Sequence, residues 1–312
     1  MKRFATHPYA VLTFTALIWG ANAVAGKLAV GHVSPMVLTM MRWLLAGLML
    51  LPIARPHLSR DWPLIRRHKR LYLFLGVAGF TGFNALFYVA LQFTTTIHVA
   101  IVQAAMPLFV FAGTFFLFRA KVTGLQLAGF ALTLLGVLVT TAHGEPAALL
   151  HLVLNRGDVL ALVAVGIFGL YTVIVTRRPP VHWSTNLLAL CVIAFLASLP
   201  LLVIETALGA TRWPDAQGWA VVVFSAVMPS IVSQALYIRG IEMIGANRAN
   251  LFVNASPIFA ALLAVLILGE PLFGYHLAAL ALVFSGIVLA ERGKRAERVA
   301  NRPKTPVGQE AA

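Results

Sequence analysis

The sequence predicts an all-α, polytopic membrane protein: ten transmembrane helices arranged as two inverted five-helix repeats. Composition is the first observation behind this. Of 312 residues, 60% are hydrophobic and 11% charged, whereas a soluble chain needs about a quarter of its residues charged. Second, the apolar residues come in blocks of about 20, and each block is long enough to cross about 30 Å of hydrocarbon at about 1.5 Å per residue. Third, the chain matches itself at an offset of 150 positions.

The spans fall at about 9–27, 35–53, 71–91, 97–118, 124–142, 158–176, 184–204, 217–238, 248–268 and 272–290. The first follows Lys2 and Arg3, and its "ANA" at Ala21–Ala23 mimics a signal-peptide cleavage site. It is expected to be retained, because the apolar run continues past that point. The second span opens at Pro35 and carries the one intramembrane charge, Arg42. The third contains Asn84 in "TGFNALFYVA", and Pro107 interrupts the fourth. The fifth follows "LFRAKVTG", and the sixth has Tyr171 where the first has Asn22. The seventh holds Cys191, the single cysteine, expected to pack as a small hydrophobe. The eighth carries Gln234 in "IVSQALYIRG"; the ninth, "NRANLFVNASPIFAALLAVLILGEP", begins polar and is broken by Pro257. The tenth ends before a charged tail. The longest connections, Pro52 to Arg70 and Thr141 to Gly157, are too short to be domains. The expected organisation is a first repeat over 1–142, a second and inverted repeat over 143–290, and a basic cytoplasmic tail over 291–312.

The net charge of +14 would suggest nucleic acid in a soluble protein. Placed on the spans, 20 of the 24 Lys and Arg fall on one side, Lys27, Arg156 and Arg212 on the other, and Arg42 inside. Cytoplasmic loops carry this excess, so both termini are expected in the cytoplasm of an inner-membrane protein.

At the offset of 150, Ala85 and Leu86 lie over Ala235 and Leu236, Pro107 over Pro257, Gly124 over Gly274 and Gly136 over Gly286. Five helices per copy is an odd number, so the copies run in opposite directions through the membrane. Inverted repeats are a common plan of secondary transporters, and matched proline-interrupted spans point to the binding site. Proline lacks an N–H and displaces the carbonyl four residues before it, leaving acceptors at Gln103 and Val253 for water, a side chain or a solute.

Several polar residues lie at membrane depth. Asn247, Asn250 and Asn254 form one helical stripe leading to Pro257, over the apolar stripe Ile97, Ala100, Ala104 and Pro107 of the first copy. A cavity between such walls suits an amphipathic small molecule. Asn84 lies under Gln234; Tyr88 shares a face with Asn84, and Ser230 and Tyr237 share one with Gln234. The candidate substrate-binding residues are therefore Asn84, Tyr88, Gln234, Tyr237, Asn250 and Asn254, with Asn22 and Tyr171 on the access path. The alternative is that these groups bond helix to helix. Arg42, about 10 Å beyond Pro35, either neutralises a substrate carboxylate or binds backbone carbonyls and ties two helices together; the structural role is favoured. His98 points off the Pro107 face and is expected near the surface.

All ten carboxylates fall in loops, tails or span ends, so no buried acid is expected as a proton relay. That favours facilitated export or exchange over obligatory proton symport. "GANAVAGKL" has the wrong spacing for a phosphate loop, with Leu28 where magnesium needs a hydroxyl. No "HExxH", "GxSxG" or Cys/His cluster suggests an enzyme.

"LIWGANAVAGKLAVGHVSPMVLTMMRWLLAGLMLLP", the Pro107 and Pro257 helices, and "LILGEPLFGYHLAALALVFSGIVLA" together resemble the drug/metabolite transporter superfamily, specifically its EamA-type ten-helix members. The resemblance covers nearly the whole chain and implies a central cavity lined by helices 1, 3, 4, 6, 8 and 9, with helices 5 and 10 peripheral. The second copy keeps the expected Glu270 after helix 9, but the first has Ala120 there; a lone Glu270 is read as a helix-end or packing feature. The expected function is secondary transport, as an exporter, of small amphipathic metabolites such as amino acids across the bacterial inner membrane by alternating access. The alternatives are a drug or lipid flippase-like exporter, or a non-transporting scaffold. Expected partners are a small-molecule substrate and the lipid bilayer, with a homodimer left open; no cofactor, metal or nucleic acid is expected.

Overall fold

The computed structural model describes residues 7–119, 123–145, 155–244, 252 and 255–300. Within these, α1 is Pro8–Leu28, α2 Pro35–Arg67 and α3 Lys69–Phe93. The fourth rod, α4, runs Thr96–Ala104 and continues as Met106–Phe118; α5 is Gly124–Thr141, α6 Arg156–Ile174 and α7 Trp183–Ala207. Ala216–Val227, Met228–Val232 and Ser233–Ile244 make up α8, and α9 and α10 are Ser256–Leu268 and Gly274–Ala300. Seven of these rods are long and apolar enough to cross a membrane, and the apolar parts of α5, α9 and α10 are shorter. Large apolar side chains such as Phe116, Leu196, Val203 and Leu266 stay on the outer surface, which is the surface a bilayer covers. The chain is an all-α, multi-pass membrane protein.

Local chemistry sets the helix ends. Pro8 and Pro35 occupy first turns, where a missing N–H costs nothing. Asn155 starts α6 by accepting the Gly157 N–H at 2.7 Å, and Thr123 and Gln126 close a reciprocal capping box on α5. The second helix runs further than its apolar stretch, to Arg67, through Pro52, Pro56 and Pro63. Its extra turns are held because Asp61 is buried and accepts the His182 N–H of the α7 start at 2.9 Å.

The internal repeat is visible in the irregularities. Ala105 N–H bonds Val102 O at 3.1 Å and Leu108 N–H bonds Ala105 O at 2.9 Å. In the second copy, Ala255 N–H bonds Phe252 O at 3.0 Å and Ile258 N–H bonds Ala255 O at 3.1 Å. Each proline thus follows the same tight turn at the same place in its helix. Both helices then stop on a left-handed residue, Arg119 with φ 50° and Gly269 with φ 66°. Wide, π-helical turns interrupt α3 over Leu75–Gly82 and α8 over Met228–Val232, again in register at 150.

Packing follows the same two-fold rule. The first helix sits on α8 and α9, and its counterpart α6 sits on α3 and α4. The pair α2 and α7 pack on each other, as do α5 and α10. A Cβ on Gly136 would lie 2.7 Å from Ala279 O, and one on Gly286 would overlap Gly129 O. Positions 136 and 286, like 129 and 279, are repeat equivalents, so the two rods cross antiparallel about a pseudo-two-fold axis.

Candidate functional site

Arg42 lies on α2, 5% exposed, and its guanidinium ties together four helices. Nε donates to Ser230 Oγ on α8 at 2.8 Å. Nη1 donates to Asn84 Oδ1 at 2.7 Å and Tyr88 Oη at 2.6 Å on α3, and reaches Asn22 Oδ1 on α1 at 3.4 Å. The guanidinium carbon stands 4.7 Å from the centre of the Trp43 ring, a cation–π distance. Among the described residues no carboxylate pairs with it.

The partners are themselves held. Asn84 Nδ2 donates to Phe80 O at 2.7 Å, a carbonyl inside the wide turn of α3. Ser230 Oγ donates to Ser225 O at 2.7 Å across the wide turn of α8. Such turns leave carbonyls off the regular ladder and recur at functional sites; here each positions one partner of Arg42. Tyr88 Oη also donates to Asn22 Oδ1 at 3.3 Å.

Of the residues read from the sequence, Asn22, Asn84, Tyr88 and Arg42 therefore meet. Gln234 is half-buried one turn beyond Ser230, and Tyr237 packs edge-on against Trp19 at 5.3 Å, next to the node and outside it. Tyr171 packs against Phe168 at 5.1 Å and Phe80 at 6.0 Å, and its ring fills the space over Gly79. Pro107 and Pro257 follow the matched turns. Asn250 and Asn254, with Asn247 and Val253, lie outside the described residues. Ser230 was read only as a neighbour of Gln234; the Pro229 before it was the available signal of an interrupted helix.

His98 corrects its reading. It is 2% exposed, and its Nδ1 lies 3.3 Å from Oδ2 of Asp158, itself 1% exposed. Thr94 Oγ1 donates to Asp158 Oδ1 at 2.5 Å, and His143, Tyr275 and His276 surround the imidazole. Asp158 does sit at the start of a span. Its turn is nonetheless sealed, because Gly157 brings α6 within 2.8 Å of Ala90 O, measured from a built Cβ. Asp61 and Glu205 are buried as well, so carboxylates at span ends are not all solvated here. Glu270 accepts the Thr96 and Ile97 N–H groups at 2.8 and 3.0 Å, a helix-end role. Lys27 donates to Leu91 O and Thr94 O. Among the described residues, no group of three or more His, Cys, Asp or Glu is arranged to hold a metal ion.

Apolar rods related by a two-fold axis, with broken helices meeting at a buried charge, make this a multi-pass membrane protein of the two-repeat class. The chain belongs to the EamA-like transporter family, which matches residues 8–142 and 155–291. It is similar to the uncharacterized transporter YyaM of Bacillus subtilis, 24% identical over 291 residues, covering 90% of this chain and 92% of that one. It is also similar to a probable amino-acid metabolite efflux pump of Salmonella typhimurium, 26% identical over 296 residues, covering 91% and 94%. A solved crystal structure of a protein has the same fold, with a TM-score of 0.60, 21% identity, and coverage of 94% of this chain and 98% of that one.

Proposed function

We propose that this transporter exports small amphipathic metabolites such as amino acids across the bacterial inner membrane by alternating access, with both termini in the cytoplasm. One observation carries the reading. A buried polar node built from Asn22, Arg42, Asn84, Tyr88 and Ser230 draws on both repeats, at the level where α3 and α8 lose regular helical bonding. Intramembrane charges of this kind mark substrate pathways, and exchanging the shapes of two inverted units opens such a node to either side in turn. The similarity to a protein named as a probable amino-acid metabolite efflux pump supports the substrate class, and the one-sided distribution of Lys and Arg supports the topology. The units that exchange are assigned as 1–142 and 143–290, with 291–312 a basic tail.

The test is counterflow in proteoliposomes with a panel of amino acids and nucleobases. Amino acids should exchange, and Asn84→Leu, which removes an acceptor from the node, should lower their exchange at least about tenfold. Wild-type exchange by Asn84→Leu on a confirmed substrate would remove this site.

A further inference from the structure

We infer that Arg42 is the carboxylate-binding charge of the transport site, so that the protein selects solutes bearing a free carboxylate over their amides, esters and amines. The inference rests on the transport reading and adds the recognition chemistry to it.

Three features suit Arg42 to a ligand as well as to the helices it links. First, its charge lacks a counter-charge among the described residues, although it is 5% exposed and about seven residues inside a span. Placing such a charge near the bilayer centre costs at least about 2.5 kcal/mol, and neutral dipoles offset it less well than an anion does. Second, each of its four acceptors is a side-chain oxygen, on Asn22, Asn84, Tyr88 and Ser230. Lys27 shows the other arrangement, its ammonium fixed on the backbone carbonyls of Leu91 and Thr94. Side-chain oxygens can turn away when a better acceptor arrives; backbone carbonyls in a helix end cannot. Third, Nη1 is oversubscribed, with two protons facing three oxygens at 2.6, 2.7 and 3.4 Å.

A carboxylate suits this site. Its two oxygens match the planar fork of a guanidinium, and the resulting charge-assisted bonds are roughly twice as strong as neutral ones. The weakly held Asn22 oxygen and the Tyr88 hydroxyl are the acceptors to be displaced; each then becomes free to bond the solute. Ser230 and the Trp43 face hold Nε and the guanidinium plane meanwhile. Tyr88 also lines a surface crease with Gly26, Ala29, Val33, Leu38 and Gln92 that is too tight to hold a water molecule, so a solute reaches Arg42 only after the two units move.

The experiment is competition in the same proteoliposomes, using leucine and phenylalanine, their primary amides and methyl esters, and the corresponding amines. Wild type should take the free acids with at least tenfold preference. Arg42→Lys should keep part of that preference, and Arg42→Gln should lose it. Each variant is first checked for wild-type elution and thermal unfolding in detergent; a folded Arg42→Gln that keeps the wild-type preference for the acids would overturn the assignment to Arg42. Amides and esters competing as well as the acids would overturn the inference and leave transport intact, as would transport of nucleobases or amines without any carboxylate. Absence of transport of every solute would remove the transport reading and this inference together.

Discussion

Asp215 precedes α8, its Oδ1 accepting the Gly218 N–H at 2.8 Å and its Oδ2 facing His32 Nδ1 at 2.7 Å. The backbone bond, then the bond to His32, hold its carboxyl below the usual carboxylate range. A carboxylate depressed in the folded state adds stability that is present above its unfolded value and lost as pH falls through the folded one. Wild type should therefore unfold at higher temperature than Asp215→Asn at pH 7, and the two should converge as pH falls below about 4. A gap that stays constant between pH 7 and 3 would show that the charge contributes nothing. Residues differ in how openly they declare such roles. Arg42 stood out as the one charge within an apolar block, and Asn22, Asn84 and Tyr88 as polar groups at depth. His98 did not, because nothing local to it announces that Asp158, 60 positions on, is folded against its ring. The favoured role for Arg42, bonding backbone carbonyls and holding two helices together, differs from the structure in the acceptors: Arg42 does link helices, through side-chain oxygens on α1, α3 and α8.

The α5–α10 pair explains why one matched pair of glycines differs from another. Gly136 and Gly286 sit where the two rods touch, and Gly124 and Gly274 have no atom within 4 Å of a built Cβ. Without a hydrophobic force between helices in lipid, association depends on such close approach. Gly286→Val should force the rods apart and cost about 1–3 kcal/mol or more, lowering the unfolding temperature in detergent by several degrees. Gly124→Ala and Gly274→Ala should leave it nearly unchanged, and equal effects at all three would refute the packing account. Apart from each other, these rods pack chiefly on the first half of α4, away from Arg42, in keeping with the peripheral place the family resemblance implied. Apolar length made the ten rods legible, and the two prolines marked the broken ones. The wide turns of α3 and α8 were not legible, because no residue type dictates them; Gly76, Gly79 and Gly82 permit the first and Pro229 the second. The extension of α2 to Arg67 is not legible in the sequence for a related reason: its stability comes from Asp61 meeting α7, a contact between distant segments.

Across the whole molecule, carboxylates from one repeat hold helix starts in the other. Glu205 near the end of α7 accepts the Ser34 hydroxyl at 2.5 Å and the Met36 N–H at 3.2 Å at the start of α2. Asp61 near the end of α2 holds the start of α7. That pairing is reciprocal, so it ties both ends of the bundle. Glu270, by contrast, holds the start of α4, and its repeat equivalent is Ala120. The Glu270 contacts and the His98–Asp158 pair both lie at the end where α1, α3, α5 and α9 finish, and both cross between repeats. In the proposed alternating access this end opens only when those contacts part, so Glu270 sets how often α4 comes free. Glu270→Gln keeps the size of the side chain but leaves one acceptor oxygen for two backbone donors and removes the charge. Losing one charge-assisted bond costs about 1.5–3 kcal/mol, so amide hydrogen exchange at Thr96 and Ile97 should quicken at least about tenfold. Met36, whose N–H goes to Glu205, supplies the internal reference and should keep its rate. Unchanged exchange at Thr96 and Ile97, or an equal rise at Met36, would mean that Glu270 does not hold this end of the bundle closed.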